Sequence, residues 1–248
     1  MRGRKSLVAG VPKQEKSVAV NPKTNASPIG RSEMAHRLAA QGFLPLFNCD
    51  DAGRAVRAVE ALHSAGVQIV EFTNRSACAL AVFRELAADI GRRLPDVVLG
   101  AGSITDGLQA KAFHEAGAAF LVAPAVDADV GTFCFERDIF WCPGAATVTE
   151  ILTAHRLGAE VIKLFPADLL GGPAFVKAVR GPCPWLKLMP SGGVTCEEVN
   201  LRAWFASGVH CVGLGSNLID AATLSQEHFN DLTQRTRRIV SLMAAIPR

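Results

Sequence analysis

The feature that most constrains the fold is a regular alternation, from residue 31 onward, between short β-type apolar runs and amphipathic helical segments. Eight apolar runs are present: Phe43–Cys49, Val67–Thr73, Val97–Ala101, Ala119–Ala123, Phe140–Cys142, Val161–Phe165, Leu186–Met189 and Cys211–Leu214. Strands that alternate with helices form parallel sheets whose crossover connections are helical. Eight such units in a chain of 248 residues predict a (β/α)8 TIM barrel.

Helices are predicted between these strands, around residues 52–64, 76–91, 105–116, 128–135, 147–157, 172–179 and 195–207, with a last one over 221–244. An extra N-terminal helix is predicted ahead of the first strand. It begins at Ser32, whose hydroxyl suits an N-cap, and ends near Gly42, because glycine commonly follows a helix. The barrel therefore accounts for residues 31–248 as a single domain.

The competing architecture for alternating strands and helices is a doubly wound open sheet. Such a sheet usually carries a G-x-G-x-x-G fingerprint after its first strand, where glycines let the backbone approach a dinucleotide. Here the first strand leads into Asn48-Cys49-Asp50-Asp51, which has no such glycine pattern. The barrel is therefore the favoured architecture.

Charge is distributed unevenly along the chain. The formal net charge is +3, but residues 1–27 contain six basic residues and one acid, Glu15, so the remainder is close to neutral. A nearly neutral body gives no support for nucleic-acid binding, although local basic residues can serve an anionic small molecule. Residues 1–30, where Pro, Lys, Ser and Asn dominate, are predicted to be a disordered basic extension.

The cysteine, histidine and hydropathy patterns argue against several classes of protein. The seven cysteines include no C-x-x-C pair and their number is odd, which indicates a reduced, cytoplasmic protein rather than a disulfide framework. The six histidines form no H-x-x-x-H pair, so no metal site is predicted. No apolar stretch is long enough to span a bilayer and the N-terminus lacks the apolar core of a secretory signal, so no membrane partner is expected.

Lys163 stands out because it lies within Val161–Phe165, an apolar run of β type. Burying an ammonium group is costly, so this lysine must be paired, neutral or exposed at the strand end. Desolvation lowers the pKa of a lysine, and a neutral amine is the form that attacks a carbonyl to make a Schiff base. The alternative is a structural lysine that pairs with a neighbouring carboxylate.

Other polar residues and glycines stand where the predicted strands end, which is where TIM barrels carry their active sites. Glu71 and Arg75 stand at the end of the second strand, and Ser103 follows the third. Ser191-Gly192-Gly193 and Gly213-Leu214-Gly215-Ser216 end the seventh and eighth. Missing side chains let backbone N–H groups reach phosphate oxygens, so these two loops predict a phosphate site. Ordinary barrel turns are the alternative interpretation of the glycines.

Five segments resemble the class I aldolases that cleave 2-keto-3-deoxy-6-phosphogluconate (KDPG) and 4-hydroxy-2-oxoglutarate (KHG). They are Gly66–Arg75, Gly100–Ser103, Trp141–Gly144, Ile162–Asp168 and Pro190–Gly193, and the resemblance runs from about residue 32 to 220. Its most specific parts are the strand around Lys163 and the E-x-T-x-R sequence that begins at Glu71.

The resemblance implies a role for each matching residue. Lys163 would be the Schiff-base lysine and Glu71 the general acid/base. The other residues would bind substrate: Arg75 and Ser103 at the pyruvate carboxylate, Phe165 at the apolar wall, and Ser191, Gly192, Gly193 and Ser216 at the phosphate. The implied substrate is a 2-keto acid, KDPG, which is cleaved to pyruvate and glyceraldehyde 3-phosphate without a cofactor or metal. The resemblance also implies a homotrimer.

One departure from the family bears on the substrate. Many members have an arginine at the end of the first strand, where this chain has Asn48. Loss of that cation weakens one contact to an anionic substrate. KHG, which yields pyruvate and glyoxylate, therefore stays open as the alternative substrate. A non-catalytic barrel that binds a phosphorylated ligand stays open as an alternative function.

Overall fold

The computed structural model describes residues 29–247. Apart from its last two residues, the predicted disordered extension therefore lies outside the described residues. The elements, in chain order, are α1 (Arg31–Gln41), β1 (Phe43–Phe47), α2 (Ala52–His63), β2 (Ile69–Thr73), α3 (Ala79–Arg93), β3 (Val98–Gly102), α4 (Gly107–Glu115), β4 (Phe120–Val122), α5 (Ala128–Glu136), β5 (Phe140–Cys142), β6 (Gly144–Ala145), α6 (Val148–Arg156), β7 (Ile162–Leu164), α7 (Pro173–Arg180), β8 (Leu188–Pro190), α8 (Glu198–Ala206), β9 (Val212–Leu214), α9 (Ala221–Ser225) and α10 (Phe229–Ala245).

The strands pair in parallel and form a curled sheet in two hydrogen-bonded parts. Six strands have the order β5-β4-β3-β2-β1-β9, and three have the order β6-β7-β8. The N–H of Lys163 in β7 donates to the carbonyl of Pro143, which precedes β6, at 2.9 Å and extends the pairing of β6 with β7. A backbone hydrogen bond also joins the two parts of the sheet. The N–H of His210, just before β9, donates to the carbonyl of Leu188 in β8 at 2.9 Å. The chain therefore has an α/β fold built on parallel strands.

Three predicted details of the elements are wrong. Nine strands rather than eight are present within residues 29–247, because Pro143, which has no N–H to donate, separates β5 from β6. The single helix predicted over 221–244 is two helices, α9 and α10, with a turn between them at which Glu227 has a φ of 56°. Helix α1 begins one residue before Ser32, whose hydroxyl donates to Glu160 at 3.0 Å instead of capping the helix.

Alternate residues of the strands pack into two different apolar clusters. In β7, Ile162 and Leu164 join the larger cluster, which includes residues from most of the helices, whereas Val161, just before β7, joins a smaller one. The smaller cluster also contains Met34, Ala35, Leu38, Leu44, Ile69, Val98, Phe120, Val122, Phe140, Cys142, Met189 and Cys211. Side chains alternate between the two faces of a strand, so the next residue on the face of the smaller cluster lies two positions after Val161 or Ile69. Lys163 and Glu71 occupy that position in β7 and β2.

Residues 29–247 contain neither a candidate membrane span nor a candidate metal cluster. The helices in this range do not combine the length and the apolar character that crossing a bilayer requires. No three His, Cys, Asp or Glu side chains of the same range are grouped in a way that could hold a metal ion. Chemistry without a cofactor or metal stays a prediction from the sequence.

Candidate active site

A cavity of about 770 Å³ opens at the carboxyl ends of the strands. Eight of the nine predicted site residues line it: Arg75, Ser103, Lys163, Phe165, Ser191, Gly192, Gly193 and Ser216. The ninth, Glu71, is buried and is not among the lining residues. Segments that are far apart in the sequence thus converge on one cavity, because the carboxyl ends of parallel strands meet at one edge of the sheet.

Lys163 lies in the middle of β7, and only 4% of its surface is exposed. Its Nζ lies 4.8 Å from the centroid of the Phe165 ring. Its neighbours Val161, two residues earlier in the chain, and Met189, opposite it in β8, are completely buried apolar residues. A buried amine that lines an open cavity can react with a carbonyl compound that enters the cavity.

Glu71 provides the buried acid of the site. Its exposed fraction is 1%, and neither carboxyl oxygen has a hydrogen-bond partner within residues 29–247. Burial raises the pKa of Glu71, and the positive charges of Lys163 and Arg75 oppose this rise only in part. Glu71 therefore keeps its proton at a pH where an exposed glutamate has lost it. Such a carboxyl group suits a step in which one residue both accepts and donates a proton.

Arg75 and Ser103 flank the cavity just beyond the ends of β2 and β3. Arg75 is exposed, and its charge lowers the pKa of Glu71. Ser103 has a φ of 60°, in the left-handed region that residues other than glycine seldom adopt. This turn brings Ser103 to the cavity directly after the last residue of β3. A planar guanidinium and a hydroxyl that line one cavity are suitable donors for a carboxylate.

The first glycine-rich loop forms part of the outer cavity. Gly192 and Gly193 have φ values of 87° and 74°, which glycine adopts without steric cost. A Cβ on Gly193 would also lie 2.2 Å from the Cβ of Asp168. The N–H of Ser191 donates to the carbonyl of Leu164 at 2.9 Å, which ties the loop to β7. The conformation of this loop therefore requires both glycines, whether or not a ligand binds there.

The loop between β1 and α2, together with the first turn of α2, contributes charged residues to the same cavity that no motif pointed to. Asp50 and Arg54 line the cavity together with Asn48 and Cys49. Nε of Arg54 lies 3.8 Å from Oδ1 of Asp51, beyond the length of a hydrogen bond. Their place directly after the first strand is the signal that could have revealed them, since every loop at this edge faces the same opening.

Comparison with known proteins identifies the family. Residues 34–235 match the family of KDPG and KHG aldolases. The chain is 31% identical over 202 residues to the 2-dehydro-3-deoxy-phosphogluconate aldolase of Pseudomonas aeruginosa. The matched region is 81% of this chain and 89% of that protein. The chain is also 31% identical over 187 residues to the KHG/KDPG aldolase of Escherichia coli. The matched region is 75% of this chain and 84% of that protein.

A solved structure is similar over most of its length. The KDPG aldolase of Legionella pneumophila, with pyruvate captured at low pH as a covalent carbinolamine, superposes with a TM-score of 0.75 at 25% identity. The superposition covers 83% of this chain and 97% of the Legionella chain. The family predicted from the sequence is confirmed: the chain belongs to the KDPG and KHG aldolases.

Proposed function

We propose that this chain is a class I aldolase that forms a Schiff base with KDPG and releases pyruvate and glyceraldehyde 3-phosphate. The observation that carries the proposal is the buried amine of Lys163, which lines a large cavity close to the buried carboxyl of Glu71. A purely structural ion pair would place the two groups in hydrogen-bond contact. Neither oxygen of Glu71 has such a partner among the described residues. Relatives named for this activity support the proposal.

In the proposed reaction the amine of Lys163 attacks C2 of the keto acid, and loss of water leaves a cationic imine. Glu71 takes the proton of the C4 hydroxyl as the C3–C4 bond breaks. The bonding electrons move toward the imine and give an enamine, and the aldehyde leaves. Glu71 then gives its proton to C3, and water releases pyruvate from Lys163. The carbinolamine of the Legionella enzyme is the kind of intermediate that precedes such an imine.

The remaining residues of the cavity would bind and orient the substrate. Arg75 would hold the carboxylate of the pyruvate portion bidentately with help from Ser103, and the ring of Phe165 would pack beside the imine. The phosphate at the far end would be bound by Ser191, Gly192, Gly193 and Ser216. Binding free energy from this remote group can align the scissile bond, so it contributes to turnover as well as affinity.

The proposal includes the fold and the assembly. The two parts of the sheet would form one closed (β/α)8 barrel, with β5 and β6 as two halves of one strand. The hydrogen bond from His210 to Leu188, which joins the start of β9 to β8, supports this closure. Helix α1 would cover the end opposite the cavity, and residues 31–248 would be a single domain. Family membership supports a cytoplasmic homotrimer. A similar structure, a protein cage designed from symmetric oligomeric domains, has a TM-score of 0.72 at 25% identity.

KHG is the second candidate substrate. The Escherichia coli relative is named for both KHG and KDPG, and Asn48 adds no positive charge to the cavity. KHG has no phosphate, so it would leave the outer loops empty. A non-catalytic phospho-ligand barrel is the third candidate, and it would not need a buried amine and a buried acid at one cavity. The presence of Lys163 and Glu71 together therefore favours an enzyme.

Borohydride reduction in the presence of pyruvate, followed by peptide mass mapping, tests the proposal. We expect one adduct, on Lys163, because reduction converts the imine into a stable amine. Lys111 and Lys177 are exposed on α4 and α7 and serve as internal controls. An adduct on either of these in place of Lys163 would overturn the lysine assignment. The absence of any adduct would overturn the class I mechanism.

A further inference from the structure

Strand β3 contains two glycines, Gly100 and Gly102, each of which leaves space for a different neighbour. A Cβ on Gly102 would lie 1.7 Å from Oε1 of Glu71, 2.5 Å from its Cδ and 2.8 Å from its Cγ. A Cβ on Gly100 would lie 2.3 Å from Cζ of Phe120. Non-bonded carbon atoms make their best contact at about 3.5–4.0 Å, so neither space admits a side chain without movement of the neighbour.

Glu71 reaches this space by extending along the neighbouring strand. In the parallel pairing of β2 with β3, Glu71 lies opposite Gly100, and Thr73 lies opposite Gly102. The carboxyl group of Glu71 therefore lies two residues further along β3, toward the carboxyl ends of the strands. The cavity lined by Lys163 opens at those ends.

Packing against β3 sets the position of this carboxyl group. It is buried, and its two oxygens have no hydrogen-bond partner within residues 29–247. A side chain held in this way takes its position from the shape of the space around it, because protein interiors are closely packed. Filling the space at Gly102 would therefore force Glu71 out of its present position.

We propose that Gly102 is a positioning residue, whose missing side chain keeps the Glu71 carboxyl where it can exchange protons with the substrate. This inference rests on the proposed aldolase function, in which Glu71 is the acid/base. Gly102 acts through Glu71. It is the last residue of β3 and has no left-handed φ. An alanine at this position therefore changes the contacts and introduces no backbone strain.

Gly102→Ala tests the proposal, with Gly100→Ala as the matched control. We expect Gly102→Ala to lower turnover by roughly 10²- to 10⁴-fold, the usual effect of losing a general acid/base, while borohydride still traps pyruvate on Lys163. Gly100→Ala inserts the same methyl group into the same strand, but against Phe120 in the smaller apolar cluster. We expect it to lower thermal stability with little loss of turnover. Equal turnover in the two variants would overturn the proposal.

Combination with Glu71→Gln distinguishes positioning from a general effect on the fold. If Gly102 acts through Glu71, the double variant should turn over at the rate of Glu71→Gln alone, because no acid/base remains to be displaced. Independent effects would multiply, as they do for residues that are not coupled. A multiplied loss in the double variant would overturn the proposal.

If Gly102→Ala is too unstable for activity assays, a double-mutant cycle that measures Tm tests the same coupling. Glu71→Ala removes the atoms that the new methyl group would meet, so Gly102→Ala should lower Tm less in that background than in the wild type. An equal loss of Tm in both backgrounds would show that Gly102 serves the strand itself and overturn the proposal. This readout does not depend on activity. Failure of the wild type to trap pyruvate would count against the aldolase function, not against the measured coupling of Gly102 with Glu71.

Discussion

The inner and outer regions of the cavity differ in how they are built. The inner region contains Lys163 and Glu71, which are 4% and 1% exposed and are surrounded by packed side chains. The outer region contains Gly193 and Ser216, which are exposed, and its shape comes from the left-handed backbone of Gly192 and Gly193. Charges interact strongly where water is excluded, whereas water and salt screen them at the rim.

This difference suggests a division between chemistry and recognition. In the inner region, cleavage of the C3–C4 bond depends on the amine of Lys163 and on one proton exchanged by Glu71. In the outer region the binding free energy is spread over several N–H and O–H donors. We therefore expect inner substitutions to stop a step for every substrate, and outer substitutions to change the preference between phosphorylated and unphosphorylated substrates.

Lys163→Ala should have the largest effect. We expect no cleavage of KDPG or KHG, because the imine that accepts the bonding electrons cannot form. The fold should survive, since the substitution removes a buried amine without leaving a charge behind. Pyruvate release measures cleavage, and thermal unfolding checks the fold. Lys177→Ala, at an exposed position of α7, is the control and should behave as wild type. Cleavage by Lys163→Ala would contradict the proposed mechanism.

Glu71→Gln should lower turnover of both substrates by roughly 10²- to 10⁴-fold, because the amide keeps the shape of the side chain but cannot exchange the proton. Trapping of pyruvate with borohydride should persist, since the imine forms on Lys163. Single-turnover cleavage is the measurement that isolates this step. Near-normal turnover would mean that Glu71 only balances the charge of Lys163 or Arg75.

The pH dependence of single-turnover cleavage sharpens the same prediction. Burial raises the pKa of Glu71 above the ordinary 4.5 of a glutamate. The ionised form, which takes the proton from the C4 hydroxyl, is therefore lost as pH falls through this raised pKa. The rate should rise with pH across that range in the wild type, and this rise should be absent in Glu71→Gln.

Gly192→Val tests the outer region. The branched side chain would block the approach of phosphate to the backbone. A hydrogen bond to a charged group contributes about 1.5–3 kcal/mol, so kcat/KM for KDPG should fall by roughly tenfold to a hundredfold. KHG, which has no phosphate, should be affected much less. Steady-state kinetics on both substrates measure the difference.

Gly171→Val is the matched control for Gly192→Val. Gly171 has a φ of 99°, so valine meets similar backbone strain there, but Gly171 does not line the cavity. We expect the control to lower stability without changing the preference between substrates. Equal losses on KDPG and KHG in Gly192→Val would show that Gly192 serves only the turn.

Arg54→Ala should have the smallest effect. Arg54 lines the cavity beside Asn48, so its charge could serve the phosphorylated end of the substrate. It is partly exposed, and exposed charge pairs contribute about 0.2–1 kcal/mol, so kcat/KM for KDPG should fall by no more than about fivefold. Arg57→Ala is the control, because Arg57 pairs with Glu227 outside the cavity. An equal loss for the dephosphorylated sugar acid would mean that Arg54 serves only helix α2.

Local patterns were enough to predict the order of strands and helices, because apolar periodicity and glycine positions act within a few residues. The family followed from short segments, chiefly the strand around Lys163 and the E-x-T-x-R sequence at Glu71. The same patterns failed where a backbone detail interrupts an element. The fifth predicted strand ended at Cys142, so the short strand β6 that follows Pro143 was missed, and the left-handed Glu227 divides the last predicted helix.

The sequence by itself thus determined the parallel α/β fold, the family and eight of the residues that line the cavity. Only the tertiary structure decided that Glu71 is buried and does not line the cavity, that its carboxyl occupies the space left by Gly102, and that Arg54 lines the cavity. The physical reason is that burial and close contact arise between residues far apart in the chain. Glu71 and Gly102 belong to different strands, and only their parallel pairing brings the carboxyl of one over the backbone of the other.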